Sequence, residues 1–276
     1  MNNTFTKAAI SVGKIIVAIF LIWITYLLLL VKTQGELYVG ISLFVFFTLP
    51  TIFIVYFKTG FLNKYPKFIK VWKFLRVIYV IIIIFFILAF GFGIYRVYQQ
   101  SQTDKTIELI NSTKITLDDV MGKNLPSEPD KKVNDSTIAG IDANKNYIRD
   151  DVELAIFKKY PNSAKIRAAE LQYAQALQLE LTQVSNSKTL VPVMQKEDYG
   201  SLCIGKTAPD VSLKDSREKI IAALAVGENR TKEVETLVLN TDSRIQRQSD
   251  IYKKYMTGYA SLPGNECDIE LSSLPN

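Results

Sequence analysis

The chain has 276 residues, with 33 lysines and arginines, 27 aspartates and glutamates, two cysteines and no histidine. The missing histidine excludes Ser-His-Asp and Cys-His catalysis, and it excludes zinc or haem sites that need a histidine ligand. The formal net charge of +6 is unevenly distributed: residues 1–98 contain ten basic residues and one acidic residue, and the remainder contains 23 basic and 26 acidic residues. The positive net charge is therefore no indication of nucleic-acid binding, because the two parts of the chain differ chemically.

Three long apolar stretches dominate the first part of the chain. Residues 15–31, 37–57 and 77–95 contain 17, 21 and 19 residues without a charge. At about 1.5 Å per residue, a helix formed by any of them can cross a hydrocarbon core of roughly 30 Å. With their flanking residues, the stretches predict transmembrane helices at about 8–31, 37–57 and 74–98, within a membrane region that covers residues 1–98.

The positions of the basic residues predict the orientation of these helices. The loop 58–76 between the second and third stretches carries six basic residues and no acidic one. By the positive-inside rule, this loop and the N-terminus face the cytoplasm, and three crossings then place everything after residue 98 outside. The first stretch is longer than the apolar region of a signal peptide and no small-residue cleavage site follows it, so we expect a retained anchor.

The composition changes sharply after residue 98. Residues 99–137 are polar and contain proline and glycine, which favours a linker or stalk with one short helix at about 106–110. Residues 138–276 have helical periodicity and no sustained strand alternation, so we expect an extracytoplasmic α-helical domain. The predicted fold class is an all-α membrane protein with three transmembrane helices followed by this small domain.

Two helices of the outer domain are predicted from their apolar spacing and end signals. The first begins at 147–150 and ends at Tyr160, because Pro161 follows. The second covers residues 164–184 after a cap at Asn162 or Ser163.

The later part of the domain is predicted to contain an irregular connection followed by two helices. Residues 185–214 contain two prolines and two glycines, which favours an irregular connection. Asp215 is expected to cap a helix that ends near Gly227, and a further helix is expected at residues 231–256.

The two cysteines, Cys203 and Cys267, both lie in the outer half. An even number of cysteines in an oxidising compartment favours a disulfide over two free thiols. The pair is too far apart in sequence for a Cys-x-x-Cys redox unit, so the predicted disulfide is structural.

The most specific motif lies in residues 142–153. Counted from its first residue, side-chain oxygens occupy positions one, three, five, nine and twelve, and a main-chain carbonyl occupies position seven. These groups belong to Asp142, Asn144, Asn146, Asp150 and Glu153, with the carbonyl supplied by Ile148. The spacing resembles the calcium loop of EF-hand proteins, and a single loop followed by one helix is similar to dockerin-like modules. The resemblance implies a weak Ca²⁺ site.

Two features depart from the EF-hand pattern. Position six, where that loop has glycine for a sharp turn, is Tyr147, a residue that disfavours a positive φ. No amphipathic helix is expected to enter the loop. The alternative interpretation is a polar turn that leads into a helix whose first-turn acids interact with the helix dipole.

Binding is favoured over catalysis, since no catalytic set assembles and no ionisable residue lies at mid-depth in the membrane stretches. We expect a non-enzymatic binding protein of the bacterial inner (plasma) membrane, with a periplasmic or extracellular domain. Its expected partners are the lipid bilayer and an envelope protein or membrane subunit, and not nucleic acid. A bacterial immunity or exclusion protein against an envelope-acting toxin remains an alternative. A carboxylate-dependent envelope hydrolase, using acids of residues 150–153, is another.

Overall fold

All regular secondary structure in the described residues is helical. In a computed structural model of the protein, residues 69–212, 214–260, 264 and 266–275 are described, and they form eight α-helices and one 3₁₀ helix. The all-α prediction is confirmed for this part of the chain. The first two predicted transmembrane helices, at 8–31 and 37–57, lie outside the described residues.

The helices follow one another without an intervening strand in the described part of the chain. In order they are α1 (Ile69–Ser112), α2 (Leu117–Met121), α3 (Lys131–Asp135), α4 (Asp150–Lys159), α5 (Ala164–Gln183), α6 (Ser187–Lys206), α7 (Arg217–Val238), α8 (Asp242–Tyr255) and a 3₁₀ helix (Leu271–Ser273). The chain divides into two compact units, Met1–Phe90 and Gly91–Asn276.

Helix α1 has the properties of a membrane anchor. Its 44 residues include the part from Val77 onward that is long and apolar enough to cross a membrane, and it is the single such helix among the described residues. Large apolar side chains are exposed along it: Phe85 is 66% and Leu88 67% exposed. Apolar surface in water costs about 25 cal/mol per Å², so hydrocarbon surroundings would accommodate this helix at a lower cost than water. The third predicted span, at about 74–98, thus lies in a helix of suitable length and polarity.

The segment 99–137 differs from the expected linker. Helix α1 continues through it to Ser112, and α2 and α3 follow. Ile110, Ile115 and Val120 are buried in the same apolar clusters as residues of the later helices. The segment is therefore part of the helical domain. Its polar composition concealed this, because only a few widely spaced apolar side chains point into the core.

Helix α5 lies at the centre of the outer domain. Sixteen of its 20 residues are buried, although many of them are glutamine or glutamate. Its apolar residues supply both main clusters, with Leu171 and Leu177 in one and Leu179 in the other. The predicted helix at 164–184 and its cap at Ser163 are confirmed, as is the shorter helix before Pro161.

The predicted irregular connection at 185–214 is wrong for most of its length, because it contains the 20-residue helix α6. The side chain of Asn186 caps this helix by accepting hydrogen bonds from the main-chain N–H groups of the first turn. Pro192 lies inside α6 and removes one main-chain hydrogen bond. The burial of Leu190, Val193 and Ile204 offsets that cost.

The predicted boundary at Gly227 is also wrong. Helix α7 runs through this residue to Val238, and its cap is Ser216 and not Asp215. A Cβ atom at Gly227 would lie 3.7 Å from the Cα of Gly205, so this glycine marks a close approach of α7 to α6. The helical structure is interrupted instead at residues 239–241, and Thr241 caps the next helix, α8.

The predicted disulfide is present. Cys203 on α6 is bonded to Cys267 in the C-terminal tail, with their Cα atoms 5.1 Å apart. The neighbouring main-chain N–H of Asp268 donates to the side-chain oxygen of Gln172 on α5 (2.8 Å). The disulfide therefore fixes the tail against the central helix.

Gly200 tests how tightly α5 and α6 pack. A Cβ atom at this position would lie 2.8 Å from the Cα of Tyr173, which is closer than real contacts allow. We expect Gly200→Ala to lower the free energy of unfolding by about 1–3 kcal/mol, because the backbone of one helix must move. Denaturant unfolding of the full chain in detergent, followed by circular dichroism, measures this change.

Gly205→Ala is the matched control on the same helix. An added Cβ there meets nothing within 4 Å. Replacing a helical glycine by alanine in open space is neutral or stabilises by up to about 1 kcal/mol. Equal stabilities of the two variants would contradict the close packing at Gly200.

Candidate functional site

The approach to the 142–153 loop is fixed by a tightly packed turn. Gly140 has φ +68°, and a Cβ there would lie 2.2 Å from the Cδ of Arg149 and 2.7 Å from the Oδ1 of Asn134. The same Asn134 oxygen accepts a hydrogen bond from the N–H of Ile141 (2.8 Å). Glycine is thus required immediately before the loop, and the element that enters the loop is the short helix α3 followed by this turn.

Two buried arginines hold the loop to the helices behind it. The Nη1 and Nη2 atoms of Arg149 donate to the carbonyls of Val238 (3.0 Å) and Leu237 (2.7 Å) at the end of α7, and its Nε lies 2.5 Å from Asp151 Oδ1. Arg244 on α8 donates to the carbonyl of Asn134 (2.7 Å) and to further carbonyls of the approach. Both side chains are fully buried.

The loop adopts a sharp turn although position six is Tyr147 and not glycine. Tyr147 has φ 62° and Lys145 has φ 59°, both in the left-handed region. The carboxylate of Asp142 accepts hydrogen bonds from the N–H groups of Asn146 (3.2 Å) and Tyr147 (3.0 Å), and these bonds hold the turn. The expected obstacle at position six is therefore overcome, at an energetic cost of order 1–3 kcal/mol per strained residue.

The second half of the motif lies at the start of α4. Asp150 is the first residue of this helix, and its Oδ1 accepts from the N–H of Ala143 (2.9 Å), which closes the loop. Glu153 lies one turn later and is 1% exposed. Its carboxylate accepts from Nδ2 of Asn144 (3.0 Å) and from Nδ2 of Asn146 (3.3 Å).

The remaining predicted residue, Ile148, is placed by its neighbours. Its side chain is buried in the main apolar cluster, and its N–H donates to the Oδ1 of Asn146 (2.9 Å). The carbonyl of Asn146 in turn accepts from Gln175 on α5 (2.7 Å). The loop is thus attached to the central helix through the main chain of its fifth position.

Sequence reasoning missed Asp119, which lies on α2 outside the motif. Its side chain is largely buried, and its Oδ1 lies 3.4 Å from the Nδ2 of Asn146. Its Oδ2 accepts from the N–H and the hydroxyl of Thr116 and so caps α2. The Thr-x-x-Asp capping pattern was a sequence signal for the helix, but no local signal pointed from α2 to a loop more than 20 residues later.

The site concentrates four carboxyl groups, those of Asp119, Asp142, Asp150 and Glu153. Burial raises the pKa of Glu153 to about 7, and the charges of Asp119 and Asp150 contribute to this rise. Burial also raises the pKa of Asp142 and of Asp150. No ion pair in the described part of the chain involves any of the four. Uncompensated negative charge therefore accumulates here as the groups ionise.

The carboxyl groups do not converge on one point in this arrangement. Among the described residues, no group of three or more cysteine, aspartate or glutamate side chains has the geometry of a metal site. The amide nitrogens of Asn144 and Asn146 instead face Glu153, and the Oδ1 of Asn144 is buried without a hydrogen-bond partner. The arrangement therefore stabilises an ionised Glu153 only through neutral amide donors.

Comparison with known proteins adds no assignment. The chain matches no protein-family model, no curated protein sequence and no solved structure.

The raised pKa of Glu153 predicts how the free energy of unfolding changes with pH. The folded state holds the proton up to about pH 7, whereas an unfolded glutamate releases it near its ordinary value of 4.5. Stability due to this group is therefore greatest at low pH and falls as the pH rises between these two values, by up to about 1.4 kcal/mol per pH unit. We expect Glu153→Gln to remove this part of the slope.

Denaturant unfolding of the full chain in detergent between pH 5 and 8, with a calcium chelator present, measures the slope. Glu108→Gln, at an exposed position of α1, is the control and keeps the wild-type slope. A slope unchanged by Glu153→Gln would show that this carboxyl ionises as it does in water.

Proposed function

We propose that the chain is a membrane-anchored binding protein whose outer helical domain binds Ca²⁺ weakly through residues 142–153. The observation that carries this proposal is the set of four carboxyl groups around one loop without a lysine or arginine paired to them. Buried carboxylates need a cation, a set of strong donors or a proton to compensate their charge. A hard divalent cation with oxygen ligands would compensate this negative charge once the loop side chains turn toward it.

Cation binding requires a defined change in the loop. The amides of Asn144 and Asn146 present their nitrogens to Glu153, whereas a cation would need their oxygens. Rotation of each amide by about 180° exchanges the positions of its nitrogen and oxygen. The unpartnered Oδ1 of Asn144 would then become a ligand of the cation. This rearrangement consumes part of the binding energy, which supports an affinity in the range of about 10⁻⁴–10⁻³ M typical of extracellular modules.

The cation would be held by Asp142, Asn144, Asn146, Asp150 and Glu153, with the carbonyl of Ile148. Asp119 adds negative charge from outside the loop. Its carboxylate is already engaged with Thr116 through one oxygen, so the other oxygen alone faces the loop. Burial is the main cause of the raised pKa of Asp142 and of Glu153, and the charge of Asp119 adds to both shifts. The same charge would stabilise a bound cation.

The anchoring part of the proposal has its own support. Helix α1 is apolar and exposed along its membrane-length part, and the basic loop 58–76 favours a cytoplasmic N-terminus. The disulfide between Cys203 and Cys267 suits an oxidising compartment. We therefore propose a bacterial inner (plasma) membrane location with the helical domain on the periplasmic or extracellular side.

A protein partner in the envelope or the membrane completes the proposal. Ile221 and Leu224 of α7 are more than half exposed, and Leu202 of α6 is equally exposed. Ile221 and Leu224 lie one helical turn apart, and exposed apolar side chains of this kind are typical of protein interaction surfaces.

Calcium titration with matched variants tests the metal site. We expect millimolar Ca²⁺ to raise the melting temperature of the full chain in detergent, and Asp142→Ala to abolish the effect because it removes the first ligand. Asp119→Asn should weaken binding by about three- to tenfold, since it removes a nearby charge but keeps the cap on α2.

Asp118→Asn is the matched control, because Asp118 is adjacent in sequence but exposed. It should leave the affinity unchanged. If millimolar Ca²⁺ stabilises neither the wild type nor Asp118→Asn, the loop is a polar turn that leads into α4.

Cysteine labelling tests the orientation. In intact cells, a membrane-impermeant maleimide should label Ser101→Cys and leave Lys64→Cys unlabelled until the membrane is permeabilised. The native cysteines form a disulfide and do not compete for the reagent. The opposite labelling pattern would reverse the proposed topology.

A further inference from the structure

A second group of buried carboxyls lies between α5, α6 and α8, away from the loop. Glu180 on α5 is 0% exposed, although it is a glutamate. Its carboxyl lies close enough to that of Glu197 on α6 for the two groups to interact directly. Two carboxylates repel each other, so a hydrogen bond between them requires a proton on one of the pair.

The donors around this carboxyl pair satisfy one oxygen of each group. Oε2 of Glu180 accepts from the Nε2 of Gln248 on α8 (2.7 Å). Oε2 of Glu197 lies 3.5 Å from the hydroxyl of Tyr252, also on α8. The Oε1 atoms of both carboxyls are buried without another donor among the described residues. The pair therefore connects α5 and α6 to α8, and its two remaining oxygens need a proton.

The charged and titratable groups that face the pair are Tyr173, Asp198, Arg247, Tyr252 and Tyr259. Arg247 is the one cation of this set, and its guanidinium donates to the carbonyls of Leu181 (3.1 Å) and Val184 (2.6 Å). Asp198 is the one acid of the set, and no salt bridge in the described part of the chain joins either carboxyl to a cation. A second negative charge on the pair would therefore be uncompensated.

We propose that Glu180 and Glu197 share one proton, and that this proton holds α8 against α5 and α6 and is released as the surrounding pH rises. Loss of the proton places two negative charges together inside the domain and breaks the bond between the carboxyls. The element affected is α8, because Gln248 and Tyr252 cover the two carboxyls, and movement of α8 away from them would admit water and favour their ionised form.

The direction of the pH effect follows from the environment of the pair. Burial raises the pKa of Glu180 to about 7 and raises that of Glu197 as well. Because the folded state binds the proton more strongly than the unfolded state, acid strengthens the docking of α8. Rising pH weakens it, beginning above the ordinary glutamate value and continuing through about pH 7.

Movement of α8 would affect the end of α1, because both helices contribute to one apolar cluster. Ile251 of α8 is buried in the same cluster as Ile110 of α1, together with Leu190 of α6. A change in the position of α8 therefore alters the packing around the end of α1. The carboxyl pair is a pH-sensitive element within the domain, and its action does not depend on the calcium loop.

Hydrogen exchange of α8 tests the proposal in the full chain. Exchange by mass spectrometry, corrected for the intrinsic pH dependence of amide exchange, would be followed between pH 5 and 8 in detergent with a calcium chelator. We expect the protection of α8 in the wild type to fall by about tenfold per pH unit in the upper half of this range. Glu197→Gln should keep the protection constant within about twofold, since its amide donates permanently to Glu180.

Glu180→Gln, measured separately, should have the same effect, which keeps the test valid if one variant fails to fold. Asp250→Asn, on the exposed face of α8, is the matched control and should retain the wild-type pH dependence. Glu153→Gln should retain it too, because that carboxyl lies in the other site. Constant protection in the wild type, or an unchanged pH dependence in both glutamine variants that replace the pair, would overturn the proposal.

Discussion

The structure of the helical domain depends on the enclosure of a polar helix, α5. Most helices that are buried on all sides are apolar, because each buried polar group needs a partner. Here the glutamines of α5 donate to main-chain carbonyls of three separate segments: Gln172 to Glu266 in the tail, Gln175 to Asn146 in the loop and Gln178 to Ala139 before the loop. The buried helix therefore positions the irregular parts of the domain as well as its apolar core.

The glutamates of α5 have contrasting partners. Glu170 forms a buried ion pair with Arg230 of α7 (2.7 Å), so a protein cation compensates its charge. Glu180, three turns later on the same helix, has another carboxyl as its neighbour. The same helix thus presents a buried ion pair with a protein cation and, on the proposal above, a proton-dependent contact. If Glu180 and Glu197 share a proton as proposed, pH acts on α8 more strongly than on α7.

The parts of the fold that the sequence predicted are those that depend on local signals. The cap at Ser163, the stop at Pro161 and the pairing of the two cysteines each follow from short-range chemistry or from compartment. The predictions were wrong where contacts between residues far apart in sequence determine the structure. Gly200 was interpreted as a loop signal, but it allows the close approach of two helices. The burial of Ile110 could not be read from a segment whose neighbours in sequence are polar.

The candidate site, like the fold, was predicted only in part. The spacing of the acids and amides in residues 142–153 was visible in the sequence, and the structure places Glu153 against both asparagines. Asp119 could not be found, because α2 meets the loop only through tertiary packing. The strain at Tyr147 could not be found either, since the hydrogen bonds to Asp142 that hold it depend on the folded loop.

The polarity of α5 also bears on how the protein is made. A buried helix of 20 residues with ordinary apolar composition would resemble a transmembrane segment to the insertion machinery. Each charged residue near the middle of a segment opposes insertion by about 2.5–3.5 kcal/mol. Helix α5 carries Glu170 and several glutamines, so on the proposed topology it can pass through the translocation channel without stopping there. Its polar side chains find their partners only after the domain folds on the other side.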